Sequence, residues 1–144
     1  MRIAPVLLAG ALVLAGCGKS DTPPAATEAD SPTAADPAPV VAPTAAMGEQ
    51  VFKRCVACHT VDKGGRNGIG PNLHSIVGAP VAAKPGFSYS SAMRAKGGIW
   101  DEAALDAYLE APMKALPGTR MAFAGVIDAA DRKALILYLE AQSK

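Results

Sequence analysis

The 144-residue chain has three cysteines, two histidines and a formal net charge of +1, and each of these scarcities excludes something. Three thiols cannot build the dense disulfide framework of a small secreted scaffold. So small a charge permits acidic protein partners but does not announce a nucleic-acid surface. The sequence shows no alternating strand pattern of useful length, no Gly-rich phosphate loop, no metal cluster and no Ser/His/Asp arrangement. Its most apolar stretch, Ile3 to Ala15, falls short of the about 20 residues that a membrane span needs.

That stretch has the shape of a signal peptide instead. Arg2 supplies a positive start, and Leu14-Ala15-Gly16-Cys17 closes the apolar run with small residues before a cysteine. As an ordinary secretory signal it would leave Cys17 as a stray thiol, a liability in a secreted protein. Leu-Ala-Gly-Cys resembles the lipobox of bacterial lipoproteins, which implies removal of residues 1–16 and lipid attachment at Cys17. Residues 17–45 then read as the lipidated cysteine plus an Ala/Pro-rich linker. Pro23, Pro24, Pro32, Pro37, Pro39 and Pro43 lie there without any aromatic residue or apolar face, so the segment cannot bury enough surface to fold. Pro-rich chain stays extended, giving a reach approaching roughly 80 Å.

Cys55-Val56-Ala57-Cys58-His59 is the segment that decides the chemistry. Cys-x-x-Cys-His is the signature of c-type haem attachment. Two thiols about one helical turn apart can each form a thioether to one porphyrin vinyl group, and the adjacent histidine can reach the iron. A thioredoxin-like dithiol would need a strand-helix-strand setting that the flanks do not offer. A structural zinc ion needs four ligands, and only His74 remains as a fourth. With Cys17 carrying lipid and Cys55 and Cys58 carrying haem, no disulfide remains to be made.

Residues 46–144 form the expected folded domain, small for a self-sufficient core, to which a haem would add apolar bulk. Val51, Phe52 and Cys55 share one face of a helix predicted over Gly48 to Cys58. Gly64, Gly65, Gly68, Gly70 and Pro71 mark a long loop. A short helix is expected from Ser90 to Lys96, stopped by Gly97-Gly98. Asp101 caps a helix through Ala111 that Pro112 ends, and Asp128 caps the last helix, with Leu135, Tyr138 and Leu139 inward. The domain therefore reads as all-α with long loops wrapped around one covalent haem c.

An electron carrier needs a second axial ligand, and a Met/His pair raises the reduction potential. Met47 lies too near the attachment site, and Met93 and Met113 sit in or beside helices. Met121 lies in the Pro/Gly loop Leu116-Pro117-Gly118-Thr119-Arg120-Met121, which can hold a side chain over the distal face, so Met121 is the chosen ligand.

From Gly48 onward the chain resembles class I cytochromes c of the mitochondrial and bacterial c2 type. Beyond the haem motif, Gly70-Pro71-Asn72-Leu73-His74, Pro85-Gly86-Phe87-Ser88-Tyr89, Gly98-Ile99-Trp100 and Pro117-Gly118-Thr119-Arg120-Met121 carry the likeness. It implies His59 and Met121 as axial ligands and the Pro71 carbonyl as acceptor for the other imidazole N–H. Tyr89 and Trp100 match positions that bond the haem propionates, Tyr108 lies near the Met121 sulfur, and Gly48 and Phe52 cross the last helix near Leu135 and Tyr138. His74 reads as structural. Ala79 and Met93 depart from the pattern, standing where relatives often have arginine and asparagine.

The resemblance implies a one-electron carrier rather than an enzyme, a monomer with no nucleic-acid role. Its expected donor is a cytochrome bc1-type complex and its acceptor a terminal oxidase. Cys17 would hold it to a membrane in the bacterial periplasm, the inner membrane being where such partners sit. The alternatives are a haem c enzyme or gas sensor with an open iron, such as a small peroxidase, and a redox-active dithiol lipoprotein. Soluble relatives ring the haem edge with lysines. Arg54, Lys114 and Arg120 keep matching positions, but Gly68, Met113 and Ile127 stand where lysines are common, so the ring is thinned.

Overall fold

The structure is a computed structural model, and it describes residues 41–143. The signal segment, Cys17 and most of the linker lie outside the described residues. Four of the five helices begin at a polar cap that satisfies a backbone N–H otherwise left without a partner. Thr44 caps α1 (Ala45–Phe52), Ser90 caps α2 (Ser91–Lys96), Asp101 caps α3 (Glu102–Glu110), and Asp128 caps α5 (Ala129–Ala141). In α3 and α5 the carboxylate oxygen lies 2.8 Å from the Ala104 N and 2.9 Å from the Asp131 N. Pro112 does end α3, but it also starts an unexpected element, α4 (Pro112–Ala115). A proline at the first helical position gives up only an N–H that has no intrahelical partner there.

The helix expected from Gly48 through Cys58 ends at Phe52. Beyond it the chain winds more tightly. Arg54 N–H bonds Val51 O at 3.1 Å, Cys55 N–H bonds Phe52 O at 2.7 Å, and Cys58 N–H bonds Cys55 O at 3.0 Å. Side chains three residues apart eclipse in such i→i+3 turns. Cys55 and Cys58 stand three residues apart within one such turn.

Helix α1 crosses α5 at a glycine. A Cβ on Gly48 would lie 1.9 Å from the carbonyl oxygen of Ala134, so only hydrogen fits, and Phe52 meets Tyr138 with ring centroids 5.2 Å apart. Leu135, Ile136 and Leu139 of α5 are buried with Val126, each such side chain contributing about 2 kcal/mol by leaving water. Tyr138, expected inward with them, is only half-buried. Helix α3 is tied to α5 by the buried Arg132. Its guanidinium donates to Asp106 Oδ1 at 2.8 Å and to the carbonyls of Val126 and Ile127 at 2.9 and 2.8 Å.

Among the described residues β pairing is limited to an isolated antiparallel bridge between Pro80 and Ile99. Next to it, Gly78 N–H bonds Trp100 O and Trp100 N–H bonds Ala79 O, both at 2.8 Å. This pairing closes the long loop between the haem motif and α3 and fixes the backbone of Trp100. The fold is all-α, with long loops ordered by hydrogen bonds.

Candidate functional site

His59 leaves the last of the tight turns with its N–H bonded to Cys55 O at 2.9 Å. Its ring Nδ1 lies 2.7 Å from the Pro71 carbonyl oxygen. A carbonyl only accepts, so Nδ1 carries the proton and Nε2 keeps a free lone pair. Burial pulls the imidazole pKa below its ordinary value, against the opposing pull of the Pro71 bond. The ring is therefore neutral at physiological pH, the form that binds metals. Gly70 lies flat against it, where a Cβ would sit 2.2 Å from His59 Cε1.

Cys55 and Cys58 are both half-buried. Burial raises the Cys55 pKa, with the Arg54 cation working the other way. The zinc alternative lacks a donor set, since no group of three or more His, Cys, Asp or Glu among the described residues can hold a metal ion.

Of the candidate methionines, Met113 stands 63% exposed on α4, and Met93 is buried in α2 as an apolar filler. Met121 is half-buried against the core, on an extended loop. Its N–H donates to Thr119 Oγ1 at 3.3 Å, and the same oxygen pairs with the Tyr108 hydroxyl at 2.7 Å. Tyr108 is thus tied to the Met121 backbone through Thr119, a link that the sequence did not reveal. Gly125, at φ +104°, seats the far end of this loop against α3, where a Cβ would fall 2.0 Å from Glu110 O.

Trp100 is buried against Tyr108, ring centroids 5.1 Å apart. The Tyr89 oxygen accepts from the Lys84 N–H at 3.3 Å and keeps its own proton to donate. Burial raises the pKa of both tyrosines, so they serve as neutral donors. Ala79 is half-buried and offers no side-chain polar group, as expected from its departure.

The arrangement fits a covalently held haem. Two half-buried cysteines stand three residues apart in a tight turn, a neutral imidazole presents its lone pair, and a thioether stands on a loop braced by Thr119. When bound, the haem supplies a one-electron Fe(III)/Fe(II) couple. The protein's own part is to orient the imidazole through Pro71 and Gly70, exclude water with the buried Trp100, and offer the Tyr89 and Tyr108 hydroxyls as donors.

Residues 45–143 match the family model described as cytochrome c. The chain belongs to the cytochrome c family. It is 46% identical over 95 residues to cytochrome c2 of Rhodomicrobium vannielii, covering 66% of this chain and 76% of that one. A cytochrome c homolog of Rickettsia felis is 35% identical in a match covering 96% of this chain and 82% of the relative. Cytochrome cH from Methylobacterium extorquens superposes with a TM-score of 0.64 at 39% identity, covering 68% of this chain and 98% of that one. Cytochromes of this type are electron carriers and not catalytic enzymes, and this one carries a single covalent haem c as a one-electron carrier. No described helix is long and apolar enough to cross a membrane.

Asn72, Gly70, Thr119 and Arg132 are the residues whose roles sequence reasoning missed. Arg132 left one signal, its spacing of three and seven residues from Leu135 and Leu139, which places a cation on the buried face of α5.

Proposed function

We propose that this cytochrome is a lipid-tethered electron carrier of the bacterial periplasm, held to the inner membrane through Cys17 as a monomer. It takes electrons from a cytochrome bc1-type complex and passes them to a terminal oxidase. Cys55 and Cys58 form the thioethers, and His59 and Met121 fill both axial positions. The observation that carries the site is the 2.7 Å contact between His59 Nδ1 and the Pro71 carbonyl, which leaves Nε2 as the one free ligand atom of the ring. A haem c enzyme or gas sensor needs an open iron position, and the braced Met121 loop argues against it.

The tether rests on Leu14-Ala15-Gly16-Cys17 and on the Pro-rich composition that follows, dividing the chain into a signal (1–16), a lipidated linker (17–45) and the cytochrome domain (46–144). The thinned ring agrees with it. Met113 and Ile127 are exposed apolar residues, and Arg54 shares its charge with Asp131 at 3.4 Å. Confinement to the membrane raises the effective concentration of partners, to about millimolar for a short flexible linker and less for a longer one. A confined carrier needs less electrostatic steering.

The test compares the native protein with Cys17→Ser. The variant loses acylation and is no longer held by lipid, its visible spectrum is unchanged, and its oxidase turnover falls at low protein concentration. Turnover of the anchored form changes only mildly with ionic strength. Normal lipid labelling of Cys17→Ser contradicts the anchor.

A further inference from the structure

Asn72 is buried, 7% exposed, in the loop that follows the Cys-x-x-Cys-His segment, and its bonds converge on the two segments that meet at His59. Its Nδ2 donates to Thr60 Oγ1 at 2.7 Å and to Asp62 O at 3.0 Å. Its Oδ1 accepts from the His74 N–H at 3.0 Å. Its backbone N–H donates to Asn67 Oδ1 at 2.9 Å, and Asn67 is in turn held by Pro85 O at 3.0 Å. Three of the four bonds an amide side chain can make are therefore filled. Thr60 is fixed on its other side by donation to Arg66 O at 2.7 Å, and Leu73 N–H bonds Thr60 O at 2.8 Å. Gly65 makes room for the amide, since a Cβ there would lie 2.7 Å from Asn72 Nδ2.

Thr60 directly follows His59, and Pro71 directly precedes Asn72. The amide thus pins the segment leaving the imidazole to the segment carrying its acceptor. We propose that Asn72 is a positioning residue that sets the strength of the His59 Nδ1–H to Pro71 carbonyl bond, and through it the electron donation of the imidazole to the iron. This rests on reading His59 as the axial ligand. A strong bond to Nδ1 raises the basicity of the ligating nitrogen and so favours ferric iron. Slackening the pin weakens that bond, makes the imidazole a poorer donor and shifts the reduction potential upward.

The measurement uses the intact holoprotein and two variants. Asn72→Ala removes the pin, and Thr60→Val removes the acceptor at its other end with little change of shape. Three quantities are read: the reduction potential, the solvent exchange of the His59 Nδ1 proton by NMR, and the melting temperature. Hyperfine shifts of the His59 ring in the unaltered ferric protein check the ligand reading separately. Both variants keep covalent haem, move the potential upward, and exchange the Nδ1 proton about fivefold faster, as loss of about one hydrogen bond's net free energy gives. Thr60→Val gives the smaller effect. If Asn72→Ala or Thr60→Val melts at lower temperature while potential and exchange keep their native values, Asn72 is a loop staple only and the proposal is overturned.

Discussion

The proposed ligation turns on which nitrogen of His59 is free, and that is decided by a carbonyl twelve residues away. The candidate histidine and the two cysteines stand out in the sequence because thioether attachment to one porphyrin would demand a local spacing. The brace at Met121 was not, since Thr119 reads from sequence as an ordinary polar loop residue, and its double role depends on α3 delivering Tyr108 to it. Asn72 was hidden for the same reason: polar loop residues are expected in water, and nothing local announces that three segments will close over one. Met121→Ala opens the iron and lowers the reduction potential, because the thioether's preference for ferrous iron is lost. A fall on the order of 0.2 V fits within the about 0.8 V that axial ligands span, and the ferric spectrum shifts away from low spin. Redox titration and visible spectra check this, and a native potential in Met121→Ala with a changed one in Met113→Ala would transfer the role to Met113.

Helix starts were readable at the acidic caps but not at Thr44, where α1 begins three residues before the expected Gly48. Asp101 and Asp128 announce α3 and α5, and both caps form the bonds expected of them. The error at α1 has a physical origin. Apolar spacing at Val51, Phe52 and Cys55 looks alike in an α-helix and in the tighter turns that follow Phe52, so periodicity cannot separate them. Helix α4 escaped because a proline that ends one helix can begin another at its first position. At the α1–α5 crossing the sequence offered Gly48 and the structure explains it. Gly48→Ala forces a methyl into the Ala134 carbonyl, so the helices must separate and Phe52 loses its seat on Tyr138. The expected cost is about 3 kcal/mol, or roughly 15 °C in Tm for a domain of this size, by thermal unfolding of the holoprotein. A change under about 2 °C would mean that the crossing relaxes freely.

For the whole molecule, the cofactor is part of the architecture. A folded segment of about a hundred residues buries limited apolar surface of its own, and its long loops are ordered by bonds that converge on His59 and Met121. The family could be read from several ordered motifs together, while partner choice could not, because it depends on exposed side chains whose arrangement only folding creates. Met113 and Ile127 stand 63% and 75% exposed, apolar surface that suits the proposed tethered carrier. The electron-carrier reading requires haem bound covalently through Cys55 and Cys58. Denaturing electrophoresis with haem staining tests that directly, on the native protein and on the Cys55→Ala/Cys58→Ala double variant, each also assayed as the pyridine haemochrome. The account predicts a stained band and a c-type haemochrome for the native chain, and no retained haem in the double variant. Haem staining that survives denaturation in the double variant would contradict it.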